Sequence, residues 1–238
     1  MTISVVVIAS NEEAWIAKCL ESLNRQTLQP TEIIVLAHNC TDRTVQIART
    51  FGTVRVIECH EHGGPIIARM RAIEAASGDI IACIDGDAWA HPDWLINATV
   101  PLLHDNSVSI VSGYTTIMNS WWWKFISWYQ FAINRKLLAA KKHRFAWGSN
   151  MVFRKADYIA SGGLEPFLRL HDSLILNYWA EDLYLSFSLQ RLGSIYFALD
   201  ARVYTLLPPE KATMQAQRQI VRGQKSDNAK LFAYFETK

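Results

Sequence analysis

The chain has 238 residues, half of them hydrophobic, enough for one large α/β domain or two small ones with a sizeable core. Lysine and arginine number 24 against 22 acids, so no global basic field points to nucleic acid. Four cysteines (Cys19, Cys40, Cys59, Cys83) are scattered without CxxC spacing, which reads as reduced thiols in a cytoplasmic setting. Met1 leads straight into ISVVVIA, too short and too uncharged at its start for an export signal. No run of about 18 apolar residues predicts a membrane span.

Strand and helix alternate through the first hundred residues. Ile3–Ala9 is a short, β-branched, uninterrupted apolar run, the pattern of a strand buried on both faces. Asn11-Glu12-Glu13 opens a predicted helix with an acidic first turn, and Ile16, Cys19, Leu20 and Leu23 follow at helical spacing. Glu32–Ala37 is the second strand. Thr41-Asp42 can cap a helix reaching about Thr50, Val54–Glu58 is the third strand, and Pro65–Ala76 is helical. Cys59-His60-Glu61-His62 has no zinc-site spacing and reads as a strand end entering the turn at Gly63-Gly64-Pro65. Ile80–Ile84 is the fourth strand and runs into Asp85-Gly86-Asp87. This order predicts a mostly parallel, right-handed sheet covered by helices, with ligands at the carboxyl ends of its strands. The turn after Ala9, the stretch His38-Asn39-Cys40 and the two acids all lie at such ends.

Two acids separated only by a glycine raise each other's cost of ionisation. A metal ion, a basic side chain or solvent must compensate them. Beyond Pro92 the alternation loosens. Asp93–His104 reads as helix, Val108–Gly113 as strand and Ala146–Arg154 as extended, with a short helix ending at Ser161-Gly162-Gly163. Ala180–Leu192 reads as an amphipathic helix, Ser194–Asp200 and Val203–Leu207 as extended, and Gln215–Phe235 as a polar helical tail.

NSWWWKFISWYQFAINRKLLAAKKHRF crowds Trp121, Trp122, Trp123, Phe125, Trp128, Tyr129 and Phe131 ahead of Lys136, Lys141, Lys142 and Arg144. Three readings stay open: aromatics packed into the core beside an acceptor site, an interfacial helix over residues 121–144 touching an anionic lipid surface, or rings that stack on sugars.

ISVVVIASNEEAWIAKCLESLNRQTLQPTEIIVLAHNCTDRT resembles the opening of inverting family 2 glycosyltransferases of the GT-A fold. ARMRAIEAASGDIIACIDGD is similar to that family's stretch up to and including its DxD motif, WGSNMVFRKADYIASGGLEP to its acceptor-side segment, and AEDLYLSFSLQRLG to its Glu-Asp helix. The ordered set, covering about residues 1–200, carries more than any one piece.

The resemblance implies a single GT-A domain over 1–238, with a Rossmann-like, mostly parallel central sheet. Residues 1–104 would bind the nucleotide-sugar; 105–238 would form a smaller, mixed acceptor-side part and the helical tail. It implies transfer of a sugar from a nucleotide diphosphate donor, UDP first and GDP second, to a hydroxyl of a glycan or lipid-linked acceptor. The setting would be cell-envelope polysaccharide synthesis at the cytoplasmic face of a membrane. Asp85 would lie near the donor ribose or the metal, Asp87 would hold Mn2+ or Mg2+ bridging the diphosphate, and Gly86 would let backbone approach the ligand. Asp182, with Glu181 beside it or in its place, would be the base that deprotonates the acceptor; the bland alternative is an acid at a helix start. Ala9, Asn11 and Glu12 match the nucleotide-contacting turn, though Glu12 also suits a helix first turn. Arg69 matches the arginine of an Ala-Arg-Asn element in which Met70 replaces the asparagine. Trp147, Gly148, Ser149 and Asn150 fall in the acceptor segment.

The sequence departs from the family pattern at Ala37-His38-Asn39-Cys40, where many members carry an acid that contacts the base. His38 or Asn39 would take that role, since both donate and accept hydrogen bonds. Gln219-Ile220-Val221-Arg222-Gly223 echoes the Gln-x-x-Arg-Trp element of processive synthases, which puts Arg218 and Arg222 forward for the diphosphate. The missing tryptophan argues against polymerisation. A sugar-nucleotide pyrophosphorylase would want a glycine-rich basic loop, and SNEEAW offers none. The non-enzyme alternative is a catalytically inactive transferase-like scaffold that binds carbohydrate or docks on membranes.

Overall fold

A computed structural model describes residues 1–119, 146, 148–174 and 180–206, together with Phe125, Trp128, Tyr129 and residues 226, 229–231 and 233–235. The first part alternates as expected: β1 (Ile3–Ala9), α1 (Ile16–Asn24), β2 (Glu32–His38), α2 (Thr44–Arg49), β3 (Val54–Cys59), α3 (Gly64–Ala75) and β4 (Ile80–Asp85). There follow β5 (Ala88–Ala90), α4 (Trp94–His104), β6 (Val108–Ile117), β7 (Met151–Arg154), α5 (Lys155–Ala160), α6 (Glu165–Leu174), α7 (Glu181–Gln190) and β8 (Ser194–Thr205). The eight strands among the described residues join one sheet in the order β3-β2-β1-β4-β7-β6-β8-β5. The β3-β2-β1-β4 half is parallel throughout, as successive helical crossovers require. The other half is mixed: β7 runs antiparallel to both β4 and β6, β8 is parallel to β6, and β5 is antiparallel to β8.

Side-chain alternation splits the core into two layers. Val6, Ile34, Leu36, Ile81 and Cys83 face one side, under α3 and α7; Val5, Val7, Ile33, Val35, Ala82 and Ile84 face the other, under α1 and α4. Both faces of the parallel half are therefore covered, which is why its strands read as unbroken apolar runs.

Four readings of local structure need correction. Helix α1 starts at Ile16, not at Asn11, because Asn11 adopts φ 59° and residues 12–15 form a turn in which the Glu12 carbonyl accepts from Trp15 and Ile16. Helix α7 is not amphipathic: every residue from Leu183 to Leu189 is buried. Its serines stay satisfied, since Ser186 Oγ donates to the Asp182 carbonyl and accepts from the Ala146 N–H. The two extended segments near the end are one strand, β8, interrupted by a bulge where its register against β6 jumps between Ala198 and Arg202. The described part of the C-terminal tail is not simply polar, because Leu231 is fully buried and Tyr234 and Phe235 pack on the core. Strand β5 and helix α6 carried no sequence expectation.

Candidate active site

The chain leaves β1 toward β2 on one side, and β4 lies on the other, so a crevice opens above the carboxyl end of β1. Ala9 ends β1 opposite Ala37 of β2, one residue before His38. Ile8 pairs with Asp85, and the Gly86 N–H donates to the Ile8 carbonyl at 2.8 Å. A β-carbon on Gly86 would lie 2.9 Å from Ala9 Cβ and 3.2 Å from that carbonyl. One close approach that Gly86 permits is thus to β1.

Asp85 and Asp87 are both half-buried. They and Glu12 ring the floor of the crevice around Cys19, whose Sγ lies 3.7 Å from the Asp85 carbonyl. Burial pushes the Cys19 thiol far up from its ordinary value, and the negative charges of Asp87, Asp85 and Glu12 push it further. That thiol stays protonated and inert. No three His, Cys, Asp or Glu side chains converge as a closed cage among the described residues. Two hard carboxylates open on one side fit Mn2+ or Mg2+, which take one or two protein carboxylates and complete their shell with phosphate oxygens and water.

The turn after β1 is tied to the turn after β2. Asn11 Oδ1 accepts from the backbone N–H of Thr41 at 2.8 Å and of Asp42 at 3.3 Å, and the Glu12 N–H donates to Thr44 Oγ1 at 2.7 Å. Asn39 is exposed, with φ 51°. Its neighbour His38 is buried, with Nε2 2.9 Å from the Glu61 carbonyl and 3.3 Å from Asn39 Nδ2. Of the two candidates for the base-facing role, Asn39 is the one that faces outward.

On the other side, β7 enters antiparallel to β4 with Met151 opposite Cys83, and this sets the 3-10 turn Gly148–Asn150 beside the end of β4. Arg69 rises from α3 into the same place and is only 3% exposed. Its Nη1 donates to the Gly148 carbonyl at 2.8 Å, and its Nη2 lies 3.5 Å from both Asp85 Oδ1 and Glu181 Oε1. Arg69 was expected at the nucleotide; it is instead enclosed by protein carboxylates and backbone. Asp182 Oδ2 accepts from the Gly148 N–H at 3.3 Å and Oδ1 from the Leu183 N–H at 2.7 Å. Burial, then the charge of Glu181, push the Asp182 carboxyl up to about 7 against the opposing pull of Arg69 and the two N–H groups.

Within the candidate acceptor segment, Ser149 is half-buried. Asn150 is fully buried, with Oδ1 accepting from Trp94 Nε1 at 2.8 Å and Nδ2 donating to the Ala201 carbonyl at 3.0 Å. Both ends of its amide are committed to the protein. Trp147, Arg218 and Arg222 lie outside the described residues. Reading by motif missed Trp94, which locks the turn from α4. Nothing in its helix marks it beyond being a large aromatic on the buried face.

Residues 4–161 match the family described as Glycosyl transferase family 2. The chain belongs to that family. Among curated relatives, this family 2 chain is 33% identical over 117 residues to the glycosyltransferase AglE of Haloferax volcanii, covering 47% of this chain and 38% of the relative. It is 25% identical over 178 residues to the glucosyl-dolichyl phosphate glucuronosyltransferase of the same organism, covering 69% and 56%. The chain therefore spans about two fifths and just over half of the length of these two relatives.

Its fold is that of the GT-A glycosyltransferases. The glucosyl-3-phosphoglycerate synthase of Mycobacterium tuberculosis, crystallised with Mn2+, UDP and phosphoglyceric acid, superposes with a TM-score of 0.65 at 21% identity, over 95% of this chain and 78% of that one. S. aureus TarS, residues 1–349 with UDP, gives 0.63 at 19%, over 94% and 65%. No helix among the described residues is long and apolar enough to cross a membrane.

Proposed function

We propose that this chain is the catalytic domain of an inverting glycosyltransferase that moves a sugar from a UDP-sugar to a hydroxyl of a glycan or lipid-linked acceptor. The observation that carries the reading is the junction of Asp85, Arg69, Gly148 and Asp182 at the topological switch point, where donor-side and acceptor-side acids come within one shared set of contacts. In the proposed step the acceptor oxygen attacks the anomeric carbon opposite the diphosphate. The bond from that carbon to the diphosphate oxygen breaks, and Asp182 takes the acceptor proton. A carboxyl raised to about 7 suits a base at neutral pH, because it is basic enough to accept the proton and still ionised in a large share of molecules. Asp85 and Asp87 would hold Mn2+ or Mg2+, which when bound offsets charge on the leaving diphosphate. Asn11 and Asn39 would border the nucleotide. A single domain over 1–238, divided near residue 104, fits the one continuous sheet.

UDP is favoured because both structural neighbours named above hold it. A lipid-linked acceptor draws on the relative named for glucosyl-dolichyl phosphate, and on Phe125, Trp128 and Tyr129, each more than half exposed. These aromatics, with the lysines after them, would give the domain a peripheral hold on an anionic membrane face. The test is a thermal-shift panel of UDP-, GDP-, CDP- and dTDP-sugars with and without Mn2+, on the wild type and on Asp87→Ala. A metal-dependent shift with one nucleotide, lost in the variant, is the expected result. No shift with any of them would defeat the reading.

A further inference from the structure

We propose that Arg69 is a positioning residue that fixes the catalytic base, and that it does not contact the donor. This deepens the function proposed above and rests on it. Arg69 is buried, and its two terminal nitrogens face protein: the Gly148 carbonyl on Nη1, and Asp85 and Glu181 sharing Nη2. A side chain so enclosed offers little surface to a nucleotide.

What it does hold is the acceptor turn. The guanidinium grips the carbonyl of Gly148 while the N–H of the same residue donates to Asp182 Oδ2. A path of two hydrogen bonds through one glycine thus runs from Arg69 to the base. The contact is tight, since a β-carbon on Gly148 would come 2.7 Å from Nη2 and 3.4 Å from Asp182 Cβ. Only glycine lets the guanidinium and the Asp182 side chain close on the turn from opposite sides. Nη2 also draws Asp85, on the donor side, and Glu181, beside the base, to the same charge. Arg69 Nε and Glu181 Oε2 are buried without a protein partner, so the charge is held for position at the cost of incomplete hydrogen bonding.

The experiment uses the full chain and three variants: Arg69→Lys, Gly148→Ala, and Arg69→Gln with Glu181→Gln, the last to avoid leaving a buried carboxylate uncompensated. Two quantities are read: the dissociation constant of UDP with Mn2+, and kcat for slow UDP release from UDP-glucose with water standing in for the acceptor. Each variant is expected to lose tenfold to a hundredfold in kcat while UDP affinity changes less than about threefold. Arg69→Lys should recover part of the loss seen with the double variant. Gly148→Ala, which keeps both charges but sets a β-carbon against Nη2 and Asp182 Cβ, should reproduce the effect of Arg69→Lys. A tenfold weakening of UDP with kcat unchanged would make Arg69 a donor contact and overturn the proposal, as would kcat unchanged in all three. If the wild type neither binds UDP with Mn2+ nor releases UDP from any of a panel of UDP-sugars that includes UDP-glucose, the functional reading fails, and this proposal with it.

Discussion

The two halves of the sheet reach the same crevice by different routes. In β1 to β4 the candidate residues other than Arg69 of α3 sit at or just past strand ends, and helices return the chain from β1, β2 and β3 to the next strand, so position along the sequence nearly gives position in space. In the half built from β5 to β8 the pieces are delivered out of order. Strand β5 follows β4 by two residues but pairs with β8, the last strand, and β7 is inserted antiparallel between β4 and β6. The parallel half offers half-buried acids at a strand end, whereas the mixed half offers the Asp182 carboxyl and a glycine turn enclosed by buried partners. Under the proposed function such a division would let one half hold the donor while the other varies with its acceptor.

The largest effects should fall on opposite sides of that division. Asp182→Asn keeps shape and removes the base, so turnover should fall about 10^2- to 10^4-fold with UDP–Mn2+ affinity intact. Asp87→Ala should abolish the metal-dependent part of UDP binding, read as a lost thermal shift. If Asp182→Asn weakened UDP as much as Asp87→Ala does, the halves would not be separable.

Trp94 tests how the mixed half is pinned. It is fully buried, and its Nε1 is the donor to Asn150 Oδ1. Asn150 in turn reaches the Ala201 carbonyl inside the β8 bulge, next to Gly113, where a β-carbon would overlap both. Trp94→Ala should cost about 3–5 kcal/mol in urea unfolding by cavity formation. Trp94→Phe leaves the Asn150 oxygen unpaired and should cost about 1–3 kcal/mol. Equal losses would mean that packing alone holds the turn.

This difference in construction also decided what the sequence could tell. Asp85-Gly86-Asp87 was legible because a buried strand announces itself by composition and the acids simply follow it. The alternation of β1 to β4 was legible for the same reason. Helix α7 was misread because periodicity cannot distinguish a helix buried on all sides from one with a wet face. For Arg69 a motif gives the residue's place in the chain and not which way it faces once α7 and the Gly148 turn have closed on it. Asn150 was marked for an acceptor, but its amide is spent on Trp94 and Ala201, partners 56 and 51 residues away.

Protonation of Asp182 supplies a test that needs no substrate. Its folded pKa is raised from the ordinary aspartate range to about 7, so between those values the native state binds a proton that the unfolded state lacks. Stability should therefore fall as pH rises from about 4 to 7, then level off. Asp182→Asn should remove that slope, a difference on the order of 1–2 kcal/mol across the window after allowing for partial exposure. Turnover should run the other way, rising with pH toward a plateau above about 7 as the base ionises. A slope that persists in Asp182→Asn would mean another group titrates there.

The smallest effect concerns a seam between the halves. Lys18 of α1 holds its Nζ 3.2 Å from the ring centroid of Trp89 in β5, and Trp89 lies opposite Tyr204 of β8 with ring centroids 6.0 Å apart. A lysine over an exposed-edge tryptophan contributes about 0.5–1 kcal/mol. Lys18→Met keeps the stem and removes the charge, so a double-mutant cycle with Trp89→Leu should give a coupling of that size in urea unfolding. Because the contact joins the donor half to the strand at the far edge of the mixed half, its loss should also loosen β5 more than β1 in amide exchange. A coupling near zero would mean that the lysine stem merely covers the ring. Trp94 and the sheet would then be the tie between the halves.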